Sequence, residues 1–262
     1  MLLAIDIGNT NITLGVFQGD GLTFTWRLAT DARQMPDEYG LALVNLLALK
    51  GLSRDQIDAI VMCSVVPPLT QVFEEMCHSY FEHEPLVVGA GVRTGIKILY
   101  DNPRDVGADR IVDATAAYRL YGGPLIVVDF GTATVIDAVS ANAEYLGGAL
   151  APGLTMSAEA MVTNTSILRR IEMVAPSSPI GKNTPHAMQA GLVLGHVDMV
   201  EGMVKRFKKE LGEEAKVIAT GGLASMMASQ TSVFDAVNQE LTLIGLHMIH
   251  EMNADNSEKE NF

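Results

Sequence analysis

Two acidic residues stand inside apolar strands. Asp6 interrupts the run LLAIDI, and Asp129 closes the run LIVVD; each is followed two residues later by glycine. A buried carboxylate costs several kcal/mol unless it is paired, hydrogen-bonded or bound to a cation. In D6-I-G-N-T-N-I-T13, Gly8 permits positive φ and close approach of a phosphate, while Asn9, Thr10, Asn11 and Thr13 supply side-chain donors. Asp6 is then placed to hold Mg²⁺, directly or through water, against nucleotide phosphates. An ordinary hairpin with Gly-Asn turn chemistry is the plain alternative, and the acid beside the turn argues against it. In D129-F-G-T-A-T134, Thr132 can donate to a phosphate and Asp129 can bind a cation, unless Asp129 only caps a turn. Hard oxygen ligands suit monovalent and divalent cations alike, so the donor types do not separate the two.

A third constellation is G107-A-D-R110, before the helical pattern of Ile111, Ala114, Thr115 and Tyr118. It places Asp109 at a helix N-terminus, where the dipole favours an ionised carboxylate. Acids are also common there as caps, which is the competing explanation. Beside two phosphate-holding arms, Asp109 can orient a hydroxyl and accept its proton late in a loose phosphoryl-transfer transition state. Arg110 offers a planar fork for a carboxylate. The segment GKNT at 181–184 is not a Walker loop. The histidines form no HExxH pattern and no CxxC occurs, so no metal constellation is expected from them.

These residues need elements to position them. Residues 2–7, 11–17 and 22–28 read as a three-strand meander, with strict alternation in LTFTWRL. A helix is expected over 36–49, a strand over 59–66 ended by Pro67-Pro68, a helix over 69–82 and a strand over 85–88. The second half repeats the order. Strands fit 125–129, 132–140, 145–150 and 216–219; helices fit 152–168, 185–210 and 236–252. Asp6 and Asp129 lie 123 positions apart in 262 residues, which points to a duplicated α/β unit. The expected domains are 1–115 and 116–252, followed by a frayed polar tail over 253–262.

Composition narrows the classes. The chain is 48% hydrophobic with a formal charge of −13, so it can bury a core but offers no basic surface for nucleic acid. A nucleotide is not excluded, because backbone N–H groups and a metal can hold phosphate. Apolar runs such as LALVNLLAL are too short to span a bilayer, no signal peptide is visible, and the two cysteines read as a reduced pair; a cytoplasmic protein is expected.

Together, DIGNTN, GADR, DFGTAT and NT before a proline resemble the type III pantothenate kinases, within the acetate/sugar kinase, Hsp70 and actin superfamily. The resemblance implies two ribonuclease-H-like domains closing on ATP, with residues 6–13 (Ile7 and Ile12 included) as the phosphate loop. It implies phosphoryl transfer from ATP to pantothenate, with Mg²⁺, and potassium or ammonium held partly by Asp129. Gly107, Ala108, Asp109 and Arg110 would meet pantothenate. Tyr100 and Thr184 join the substrate site only because they match family positions. A homodimer is also implied. Two rivals come from the same relatives: a phosphatase using water in place of the alcohol, and a non-enzymatic transcriptional accessory factor.

Overall fold

The computed structural model describes residues 1–257. In chain order the first elements are β1 (Leu2–Ile7), β2 (Asn11–Gln18), β3 (Gly21–Ala29), α1 (Pro36–Ala48), β4 (Ala59–Ser64), α2 (Pro67–Phe81), β5 (Leu86–Val87), β6 (Lys97–Ile98) and α3 (Ala108–Tyr121). There follow β7 (Leu125–Phe130), β8 (Ala133–Val139), β9 (Glu144–Pro152), α4 (Leu154–Thr163), α5 (Thr184–Gln189), a π-helical turn (Ala190–Leu194), α6 (Gly195–Leu211), β10 (Lys216–Thr220), α7 (Ala224–Ala228), β11 (Ala236–Val237) and α8 (Leu241–Ser257). Two compact units divide the chain. One holds Met1–Ile96, Asn102–Ala116 and the chain from Thr242; the other holds Lys97–Asp101 and Ala117–Leu241.

In the first unit β1, β2 and β3 form the antiparallel meander, and β4 and β5 add in parallel, giving the order β3-β2-β1-β4-β5. Because side chains alternate along a strand, β1 has two chemically different faces. Leu3, Ile5 and Ile7 pack with Tyr39, Leu43 and Leu47 of α1 and with Leu69, Phe73 and Met76 of α2. Those helix residues recur at three- and four-residue spacing, which lines one face of each helix. Leu2 and Ala4 point the other way, with Val61 and Cys63 of β4, toward Val112 of α3 and Leu243, Leu246 and Ile249 of α8. Asp6 shares the alternation of Leu2 and Ala4, so the strand itself aims its carboxylate at the α3 side.

The second unit repeats the plan. Antiparallel β7, β8 and β9 are joined by parallel β10 and β11, in the order β9-β8-β7-β10-β11, and β6 adds on the β9 edge. The same five-strand order therefore occurs twice, as the spacing of the two acidic strands suggests. Ile126, Val128 and Phe130 pack with the π turn and α6 through Leu192, Val193 and Val197. Asp129 again falls on the other alternation.

Several boundaries differ from the expected ones. Helix α2 begins at Pro67 instead of after the proline pair, because proline lacks an N–H that the first turn leaves unused. The helix expected over 152–168 ends at Thr163, and the one over 185–210 is broken by the π turn. Residues 236–237 are a strand, and α8 starts at Leu241 and runs through Ser257. Residues 253–257 thus continue a helix where a frayed tail was expected; 258–262 lie outside the described residues.

Candidate active site

Asp6 is half-buried and lies opposite Thr13 in β2 and opposite Cys63 in β4. The Cys63 thiol donates to Asp6 Oδ1 at 3.5 Å, a weak bond. Burial pushes the Asp6 carboxyl from 3.8 up to about 7, and the charge of Asp109 adds to the rise; the Cys63 bond and the charge of Arg27 oppose it. Burial likewise pushes the Cys63 thiol well up, with Asp6, Asp109 and Asp113 reinforcing it. A wholly buried thiol with that environment stays protonated and inert. The first unit thus brings Asp109 close enough for its charge to be felt at Asp6. Neutral or charged, Asp6 is poised near physiological pH and would be favoured as a carboxylate by any cation.

The segment after Asp6 is a tight loop held from below. Gly8 N–H donates to the Asn11 carbonyl at 3.0 Å, the Thr30 hydroxyl to the Gly8 carbonyl at 2.6 Å, and Thr30 N–H to the Thr10 carbonyl at 3.1 Å. Gly8 does not use the positive φ that glycine permits. The demand for glycine here is steric: a Cβ would stand 3.0 Å from the Asn11 carbonyl oxygen. Asn9, Thr10 and Asn11 are exposed, whereas Ile7 and Ile12 are wholly buried in the core. Those two isoleucines can offer a ligand only their backbone.

Asp109 sits in the first turn of α3 and folds back over it, accepting from Arg110 N–H at 2.8 Å. That posture depends on Gly107, where a Cβ would stand 2.5 Å from Asp109 Oδ1. Gly107, Ala108, Asp109 and Arg110 are all half-buried. One turn further along the helix, the buried Asp113 accepts from the Thr242 hydroxyl at 2.7 Å. The helix start therefore presents one carboxylate aimed by glycine and one guanidinium beside it.

In the second unit Asp129 is half-buried and Thr132 is exposed, on the two sides of a tight turn closed by Gly131 N–H donating to the Ala133 carbonyl at 3.1 Å. Gly221, at φ +91°, lies against Asp129: a Cβ there would overlap Asp129 Oδ1 and stand 2.7 Å from the Phe130 nitrogen. Tyr100, just past β6, packs on β9, its ring 6.3 Å from that of Tyr145 and against Gly147, which is at φ +113°. Thr184 opens α5 behind the cap residue Asn183. It lines a concavity of about 460 Å³ with Met161, Leu168, Lys182 and Met188, to which Asp129, Thr132 and Tyr100 do not contribute.

Two participants escape a reading of the sequence, and a third is only half legible in it. Cys63 meets Asp6 only because β4 pairs with β1 in one particular register. Arg27 bears on Asp6 from β3. Gly221 had a visible signal, a Gly-Gly pair after a strand, but nothing local tied it to Asp129.

Comparison with known proteins adds an independent line. The sequence model of the family described as Type III pantothenate kinase matches residues 2–206. A Type III pantothenate kinase of Dehalococcoides mccartyi is 50% identical over 252 residues, 96% of each chain. Among solved structures, a Campylobacter jejuni protein described as a Baf family transcriptional activator aligns with TM-score 0.63 at 19% identity, over 97% of this chain and 99% of that one. A Sinorhizobium meliloti protein described as a 2-dehydro-3-deoxygalactonokinase aligns with TM-score 0.61 at 13% identity, over 96% of both chains. At such identities the two structures speak to fold alone: the duplicated ribonuclease-H-like architecture of the sugar kinases and actin-like ATPases.

Proposed function

The chain belongs to the type III pantothenate kinase family, and from that premise we propose how its residues divide the work. The enzyme transfers the γ-phosphoryl group of ATP to pantothenate, giving 4′-phosphopantothenate, the first step of coenzyme A biosynthesis. The observation that carries the division of labour is the proximity of Asp6 and Asp109. A carboxylate whose proton affinity is raised by burial and by a neighbouring acid is well placed to meet a cation, leaving that neighbour to meet the proton.

Asp6 fits a cation: its burial and the neighbouring Asp109 charge make the bare carboxylate costly, and its hard oxygens suit Mg²⁺. Bound Mg²⁺ would neutralise charge on the nucleotide's β- and γ-phosphate oxygens. The loop of residues 6–13 offers phosphate its backbone and the exposed Asn9, Thr10 and Asn11, and Thr132 offers phosphate its hydroxyl. Asp109 accepts a hydrogen bond from the pantothenate hydroxyl, orients the oxygen toward the γ-phosphorus and takes its proton as the new bond forms. Arg110 holds the pantothenate carboxylate through paired N–H bonds. Gly107 and Ala108 leave room for the chain of the acid, and Tyr100 and Thr184 are assigned to the acid by their match to the family pattern. Asp129 serves a potassium or ammonium ion.

We further propose a homodimer in the cytoplasm. Exposed Leu146 and Leu150 of β9 and Met156 of α4 support an apolar subunit contact, and the two free buried cysteines suit a reducing compartment.

A substrate screen tests the reading. Purified protein with ATP, Mg²⁺ and added potassium or ammonium should phosphorylate pantothenate in preference to other small hydroxy acids. Turnover of another acid with none of pantothenate, or ATP hydrolysis with water as the sole acceptor, would overturn it.

A further inference from the structure

At the far end of β2 from the phosphate loop, the turn into β3 meets helix α8. The imidazole of His247 is 11% exposed and stacks on Phe17, ring centroids 4.5 Å apart with planes 24° apart. Its Nε2 lies 3.1 Å from the Gly19 carbonyl oxygen. A carbonyl only accepts, so Nε2 carries the hydrogen and the Nδ1 of the neutral ring presents a lone pair. Nδ1 faces Glu251, one turn along α8, with Oε2 at 3.8 Å, too long for a hydrogen bond. Asp20, from the turn itself, closes the group: one ligating atom from each of Asp20, His247 and Glu251 lies within 4.8 Å of the others.

We propose that His247 Nδ1, Asp20 and Glu251 bind a divalent transition-metal ion of the Zn²⁺ kind, clipping α8 to the β2–β3 turn. The arrangement has the parts such a site needs. One ligand is rigid, its ring fixed by stacking and its tautomer set by a backbone carbonyl bonded to the other nitrogen. Two are exposed carboxylates, free to close from 4.8 Å toward the roughly 3.4 Å separation that bonds of about 2.0–2.1 Å impose on a tetrahedron. The ligands come from two elements far apart in sequence, with His247 and Glu251 on one helical face at i and i+4. A nitrogen with two oxygens favours Zn²⁺ over Mg²⁺ or Ca²⁺, which take oxygen sets. Water fills the fourth, solvent-facing position. The histidines show no such pattern in the sequence because Asp20 joins them only through the fold.

The test is calorimetric titration of tag-free, nucleotide-free protein with Zn²⁺ in buffer already containing excess Mg²⁺. One equivalent should bind and raise the thermal midpoint. Asp20→Asn and Glu251→Gln, both at exposed positions, should each weaken Zn²⁺ at least about tenfold and abolish the thermal rise, with circular dichroism and pantothenate turnover unchanged. Absence of Zn²⁺ binding, competition by Mg²⁺, or equal affinity in wild type and both variants would overturn the site.

Discussion

Replacing Asp6 by asparagine should make the nucleotide-free protein more stable, and increasingly so as pH rises. The carboxyl moves from 3.8 when unfolded to about 7 in the fold, so folding is spared its cost below about pH 4. As pH climbs toward about 7 the unfolded chain ionises and the folded one does so only with difficulty. The contribution of Asp6 to stability is therefore lost across that window and stays lost above it. A gap of roughly three pH units corresponds to about 4 kcal/mol at about 1.36 kcal/mol per unit. About 2–3 kcal/mol of this falls between pH 5 and pH 8. The asparagine side chain keeps the shape and cannot ionise, so the difference between variant and wild type reports the ionisation of Asp6 together with its coupling to Asp109, Arg27 and Cys63; residues remote from Asp6 cancel. Thermal midpoints at pH 5 and pH 8, without Mg²⁺ or nucleotide, should show the variant gaining roughly 5–10 °C more at the higher pH. Mg²⁺ with ATP should shrink the gap by stabilising the ionised wild type, while turnover of the variant collapses. A variant whose advantage is the same at both pH values would mean that the Asp6 carboxyl is not held above its ordinary range in the fold.

Two glycines carry further predictions. Gly107→Ala puts a methyl group 2.5 Å from Asp109 Oδ1; the carboxylate must swing away, and kcat should fall about 10²-fold while ATP affinity is kept, as read by steady-state kinetics beside nucleotide titration. Gly221→Ala forces a side chain into φ +91° and onto Asp129, and thermal unfolding should show a loss of about 2–4 kcal/mol; an unchanged midpoint would mean that the 221 loop yields freely.

Strands and their acids were legible from the sequence because alternation with period two fixes which residues share a face. Asp6 and Asp129 stand out as polar residues in otherwise apolar strands, and the repeated meander follows from their spacing. The start of α3 was legible from GADR and the periodic residues after it. What stayed hidden depends on pairing partners. The two-residue strands β6 and β11 have no periodicity of their own and exist because β9 and β10 offer edges. Cys63 looked like an ordinary buried thiol until the parallel register of β4 set it opposite Asp6. Gly8 was read for positive φ and close approach of a phosphate; it does not adopt positive φ, and a Cβ there would stand 3.0 Å from the Asn11 carbonyl oxygen, a contact set by the turn. The π turn after α5 breaks a stretch whose apolar pattern is continuous enough to read as one helix.

Asp109 is proposed to take the proton of the hydroxyl that attacks ATP. Asp109→Asn keeps the size of the side chain and an oxygen that can accept from Arg110 N–H, but removes the basic carboxylate. Single-turnover phosphorylation of pantothenate at saturating ATP and Mg²⁺ measures the chemical step directly. The rate should be about 10²–10⁴-fold slower, with ATP affinity within a few-fold of wild type. A variant that transfers the phosphoryl group within about threefold of the wild-type rate would contradict it.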